Sequence, residues 1–245
     1  YHPSNALIFF YGNLDEEESF AHLNSYLDDF EKKEISSLPE DVLPFEQPKE
    51  MTMEVSLGSG EEEEGKSSLS CSWLVDRART DIDSYYYNLL TEVLIESESS
   101  PLRRALLDEL GCQDLYGLLN DVKQIGFTIV AKGVDPAKKD RFSAIIDEEL
   151  KKIVEEGLDP RVLQGIVRKM EFDLREKKNI ASKGIALMYL AMNEWLYGEN
   201  PIERIAYASK LKELKRRLSD HGMEEYIRQR LLHNPNRVII THLAK

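Results

Sequence analysis

The chain has 245 residues, 42% of them hydrophobic and 31% charged, with 45 acidic against 32 basic side chains and a net charge of -13. That length suits one large domain, or one domain with part of another. The acidic balance argues against a nucleic-acid partner, because phosphate binding needs a basic surface, and it suits a basic peptide or protein. Every apolar run falls short of the ~18 residues of a membrane span, so no membrane partner is expected.

The first element expected is a strand over Ala6–Tyr11, closed by Gly12 and Asn13. A chain that opens inside a strand reads as one whose preceding segment lies elsewhere, so targeting is not legible here. Residues 15–33 follow as a helix, with Phe20, Leu23, Leu27 and Phe30 at helical spacing and acidic residues at the positive end of its dipole. Residues 34–49 carry three prolines and no period, which reads as a linker. Met51–Leu57 and Ser68–Val75 are expected to form a hairpin. Its tip, "GSGEEEEGKS", is solvated because Glu61, Glu62, Glu63 and Glu64 repel one another, and a flexible tip does not converge on one cation.

Helical spacing returns at Tyr86, Leu89, Leu90, Val93 and Leu94. At most two of Tyr85, Tyr86 and Tyr87 can face one core, so at least one is expected to face outward or toward another domain; packing plus a surface tyrosine is the plainer reading and a ligand platform the alternative. A second helix has Ser100 as cap, Pro101 in its first turn and Gly111 at its end. Residues 114–121 and 123–133 form another strand pair. Asp135-Pro136 and Asp159-Pro160 start two long helices, since proline pushes the preceding residue out of the α region, as an N-cap requires. A helix over about 182–197 carries Trp195, with Tyr197 just beyond its apolar face. Asn200-Pro201 opens another helix, Gly222 separates the last two, and Arg237–Leu243 is a closing strand. This order predicts an α+β two-layer sandwich, with helices packed on one face of a mostly antiparallel sheet.

The chemistry-bearing motifs are sparse. Cys71 alternates with Leu69 and Trp73 and points into the core; with Cys112 it makes no disulfide framework, so a reducing, cytoplasmic setting is the default. His2, His22, His221, His233 and His242 lack the i, i+4 spacing that puts two imidazoles on one helix face. In "HGMEE", Glu225 stands where a second histidine would be needed after His221. No nucleophile elbow, phosphate loop or dinucleotide fingerprint occurs.

Several stretches in register carry a family likeness: "YHPSNA" before an aromatic strand and "YG", "SSPLRRALLDELG", "EEGLDPRVLQGIVRKMEFDLRE", "NIASKGIALMYLAMNEWLYGENPIE" and "NPNRVIITHLAK". Together they resemble the presequence protease subgroup of the pitrilysin, insulinase-like zinc metallopeptidases, from Tyr1 to Lys245. The resemblance implies a LuxS/pitrilysin-like fold. It assigns residues 1–33 to the terminal strand and helix of a preceding catalytic domain, 34–49 to a linker and 50–245 to a second, non-catalytic domain. It implies zinc in the parent enzyme, peptide substrates, and the parent's remaining domains as partners, in the cytoplasm or alternatively the mitochondrial matrix or plastid. The family's HxxEH motif is missing from these residues, so no catalytic or metal residue carries over and the piece is expected to be inactive alone. Arg104 and Tyr116 do not inherit the family's substrate-holding arginine and tyrosine, which belong to another domain. The substrate-contacting residues stay unassigned, and a structural or assembly subunit of the same fold is the alternative reading.

Overall fold

The computed structural model describes residues 2–76, 82–176 and 182–245. The chain divides into two compact units. Residues 1–40 and 173–207 form one, and residues 41–172 and 208–245 form the other.

The larger unit holds a five-stranded sheet: β1 (Lys49–Val55), β2 (Ser68–Asp76), β3 (Asp114–Asn120), β4 (Ile125–Lys132) and β5 (Arg237–Ala244), in the order β1-β5-β2-β4-β3. The pairs β2·β4, β2·β5 and β3·β4 are antiparallel and β1·β5 is parallel, so the sheet is mostly antiparallel as expected. The expected β1–β2 hairpin does not form, because β5 lies between these two strands. The physical reason is in the residues. Val238, Ile239, Ile240 and Thr241 suit a pleated, half-buried surface, and β5 gains a ladder on both sides only from a central place. The "GSGEEEEGKS" stretch is nearly all exposed, and Lys66 sits 3.7 Å from Glu61 there.

Period-two alternation sorts the sheet's two faces. Leu69, Cys71 and Trp73 of β2, Ile125, Phe127 and Ile129 of β4, and Ile239 of β5 share one buried face. Trp73 stacks on its register partner Phe127, with ring centroids 6.0 Å apart. Helices cover this face: α2 (Asp83–Thr91), running into a π-helical turn (Glu92–Glu96), α3 (Pro101–Leu110), α4 (Lys139–Glu156), and α8 (Gly222–Ile227) with a second π-helical turn (Arg228–Leu232). Leu89, Leu90, Leu94, Leu106, Phe142 and Ile146 are fully buried there.

Most caps match the sequence. The Arg103 N–H donates to Ser100 Oγ at 3.3 Å, and Gly111 takes the left-handed conformation (φ 65°) that ends α3. Asp135 accepts from the Ala137 N–H at 2.9 Å, and Asp159 from the Arg161 N–H at 2.8 Å, which starts α5 (Pro160–Glu176). The break between α7 (Tyr207–Leu218) and α8 falls at His221, the non-glycine residue with positive φ (55°) among the described residues. Gly222 is the first residue of α8, and it is needed for space: a Cβ there would lie 2.4 Å from the Arg217 carbonyl oxygen.

In the smaller unit, Ala6–Tyr11 forms no strand. A strand needs a ladder partner for its backbone groups, and none pairs with this segment among the described residues. Leu7, Ile8, Phe10 and Tyr11 are exposed, and Phe10 meets Phe20 of α1 (Glu16–Leu27) edge to face at 6.1 Å. Asp15 caps α1 by accepting from the Glu18 N–H at 2.9 Å. The helix stops at Leu27 rather than residue 33, where Asp28 and Asp29 would put negative charge on the negative end of the dipole. The helix α6 (Lys183–Trp195) stands as expected. Asn200-Pro201 opens only a turn, with Asn200 Oδ1 accepting from the Ile202 N–H at 3.0 Å, and α7 begins at Tyr207.

Candidate functional site

The residues singled out in the sequence do not converge. His221 is exposed, and its Nδ1 lies 3.9 Å from Glu224 Oε1. Glu224 is buried and accepts from the Leu158 N–H at 3.0 Å, which ties α8 to the turn before α5. Glu225 is engaged by Arg228 at 2.7 Å and Gln229 at 2.6 Å. No group of three metal-ligating side chains occurs among the described residues. Arg104 Nε donates to the Glu98 carbonyl at 3.1 Å. Trp195 and Tyr197 are half-buried at the end of α6.

Tyr85, Tyr86 and Tyr87 are all buried, which corrects the expectation that at least one is left to face outward or toward another domain. The helix α2 has packing on more than one side. Tyr226 of α8 stacks on Tyr86 at 4.6 Å and meets Tyr87 edge-on at 5.6 Å, so a helix that would show one ring to water shows none. The cluster is packing, not a ligand platform. Cys71 is buried as expected; burial pushes its thiol far above the usual range, with small opposing effects from Arg237 and Asp147.

What the fold leaves available is the second face of the sheet. Alternation along "SLSCSW" turns Ser68, Ser70 and Ser72 to the side opposite Leu69, Cys71 and Trp73. The register sets them beside Thr128 and Val130 of β4 and Val238, Ile240 and His242 of β5. Ser70 Oγ lies 3.0 Å from His242 Nε2, and Ser72 Oγ lies 2.8 Å from Thr128 Oγ1. Met51, Met53 and Val55 of β1 continue the face at one edge, and Tyr116 and Leu118 of β3 at the other. Met51, Met53, Val55 and Leu118 are each about half exposed (52%, 49%, 46% and 46%). Small hydroxyls lie at the centre of this face, where Ser70 and Val130 are buried, and apolar side chains lie at its rims. Ser70 has a basic neighbour, but among the described residues no third side chain orients His242, as nucleophilic catalysis requires. The sequence reading missed this surface because it paired β1 with β2; the alternation of β2 and β5 was the signal that could have shown it.

A separate open cleft of about 510 Å³ lies at the start of β5, lined by Pro48, Asp147, Glu148, Lys151, His233 and Arg237 among others. Burial works against the Arg237 charge, and hydrogen bonds to Asp147, one of them 3.2 Å from Nη2 to Oδ2, together with the attraction of its carboxylate, more than offset it. The pair fastens α4 to β5.

Comparison with known proteins adds a family. The model of the peptidase M16 inactive domain matches residues 1–170. Protein HypA of Clostridium perfringens is 30% identical over 98% of the chain, and Presequence protease 1, chloroplastic/mitochondrial, of Arabidopsis thaliana is 31% identical over 98%. The chain spans 25% and 23% of the length of these two relatives. The first half of the periplasmic protease PqqL from Escherichia coli has the same fold, with a TM-score of 0.68 at 12% identity over 95% of this chain and 50% of that one.

Proposed function

Because the chain belongs to the peptidase M16 family, as its inactive domain, we propose that it is a non-catalytic, chamber-forming part of a zinc metalloendopeptidase that degrades short unfolded peptides. The open sheet face carries this reading. Met51, Met53, Ile240, His242 and Tyr116 offer an extended peptide apolar contact, an imidazole and a phenol hydroxyl without a group that would attack it. Zinc and the residues that hold it belong, in this reading, to a neighbouring catalytic domain that carries the HxxEH motif. Residues 1–33 then close that domain, 34–49 link it, and 50–245 form the second domain. The reduced pair Cys71 and Cys112 fits a reducing compartment, the cytoplasm or an organelle matrix. No helix among the described residues is long and apolar enough to cross a membrane.

The test has two arms. The chain alone, with added zinc, should leave an unstructured fluorogenic peptide uncut. In the longer protein, charged substitutions on the open face, Ile240→Asp and Ser72→Asp, should raise KM for peptides with kcat little changed. Chelator-sensitive turnover by the chain alone would overturn the reading. So would an unchanged KM in variants that fold.

A further inference from the structure

The strand β1 ends the sheet, and its main-chain groups show which side is free. The Val55 carbonyl accepts from the Lys245 N–H at 3.0 Å, and the Leu57 N–H donates to the Lys245 carbonyl at 2.8 Å. In a strand the N–H and C=O of one residue point to the same side, and that side alternates along the chain. The odd-numbered residues of β1 therefore bond to β5. Glu50, Thr52 and Glu54 turn their backbone groups away from the sheet, and no side chain takes those groups among the described residues.

The other edge is different. On β3, Arg103 Nη1 donates to the Leu115 carbonyl at 3.1 Å, and Glu96 Oε1 accepts from the Gly117 N–H at 3.4 Å. Side chains thus take the Leu115 carbonyl and the Gly117 N–H of β3, while β1 carries neither proline nor bulge, two of the devices that blunt an edge.

We propose that β1 is a strand-addition edge, and that its occupant is an extended peptide with basic residues at alternate positions. This deepens, and rests on, the peptide-handling reading above. Main-chain bonds to Glu50, Thr52 and Glu54 supply the ladder. On the open face the peptide's side chains meet Met51, Met53 and Val55; on the other they meet the carboxylates of Glu50 and Glu54, whose side chains are 58% and 65% exposed. Lys139 and Lys245 pair with those carboxylates from within the chain, but such exposed pairs are weak and leave acceptor capacity for a second cation. A second copy of the chain fits poorly. Antiparallel self-pairing about Thr52 would set Glu50 opposite Glu54 of the other copy, twice, and like charges directly opposite are destabilising.

The experiment uses the whole chain and a short fluorescein-labelled peptide alternating lysine with valine. Binding should slow exchange of the Glu50, Thr52 and Glu54 amides, and a peptide with glutamate for lysine should bind at least about tenfold more weakly. Thr52→Pro removes an N–H that β5 does not use, so it should keep the fold and weaken binding by about tenfold or more. Where Thr52→Pro fails to fold, the same peptide N-methylated at alternate amides poses the question to the unaltered chain. Undiminished binding in either case overturns the proposal. So do absent binding, self-association that Thr52→Pro abolishes, or amides 50, 52 and 54 already protected in the longer protein without peptide. If Thr52→Pro leaves peptide binding intact while Ile240→Asp still raises KM in the longer protein, the edge proposal fails and the chamber reading stands.

Discussion

Two helical glycines should respond to alanine with opposite sign. Gly222 starts α8 where the chain passes close over the end of α7. A Cβ would lie 2.4 Å from the Arg217 carbonyl oxygen, 2.9 Å from its carbonyl carbon and 2.9 Å from Tyr86 Oη. The first two are backbone atoms, and the Arg217 carbonyl already accepts from the Asp220 N–H at 3.2 Å, so they cannot swing aside as a side-chain tip can. Tyr86 is stacked against Tyr226. Overpacking of this kind costs about 1–3 kcal/mol, and the better helix propensity of alanine returns up to about 1 kcal/mol. Gly222→Ala should therefore destabilise by about 1–2 kcal/mol, a fall in Tm of roughly 2–8 °C for a chain of this size. Gly165, inside α5, has nothing within 4 Å of its Cβ position and an ordinary helical φ. Gly165→Ala should stabilise by about 0.5–1 kcal/mol. Thermal and urea unfolding followed by far-UV circular dichroism read both. A Gly222→Ala chain as stable as the parent would show that the α7–α8 turn is not fixed by this close approach.

Phe127→Ala removes a fully buried ring stacked on Trp73 and should cost about 3–5 kcal/mol, read as a lower urea midpoint at unchanged slope. The Cys71 thiol, buried and held protonated, should react with an aromatic disulfide reagent only as fast as the sheet opens, and should become fully reactive in denaturant. Hydrogen bonds from Arg216 and Arg217 hold the Glu213 carboxyl down at about 2 rather than 4.5. Its folded pKa is the lower one, so its stabilising contribution is complete above pH 4.5 and is lost as pH falls from 4.5 toward 2. A carboxyl carbon titration by NMR should place its midpoint near 2, moving up in Arg216→Gln and with added salt; an ordinary midpoint would show that the Arg216 and Arg217 pairs do not hold in solution.

Local chemistry was legible without any fold. Ser100, Pro101 and Gly111 bound α3, Asp135 and Asp159 start the next helices, and the alternation of β2 sends Cys71 and Trp73 inward, because caps and period-two faces are decided by residues a few positions apart. The in-register family likeness was legible too, and the match to the peptidase M16 inactive domain agrees with it. Tertiary structure decided what depends on distant partners. It placed β5, from the far end of the chain, between β1 and β2, and denied Ala6–Tyr11 a ladder. By closing α8 over α2 it set Tyr226 against Tyr86 and Tyr87, and all three consecutive tyrosines are buried. Strand neighbours and the number of sides on which a helix is covered are set by where the whole sheet finds its burial and hydrogen bonds. A local window contains neither, so the second face of Ser72 and His242 and the free edge of β1 emerge only once the strand order is known.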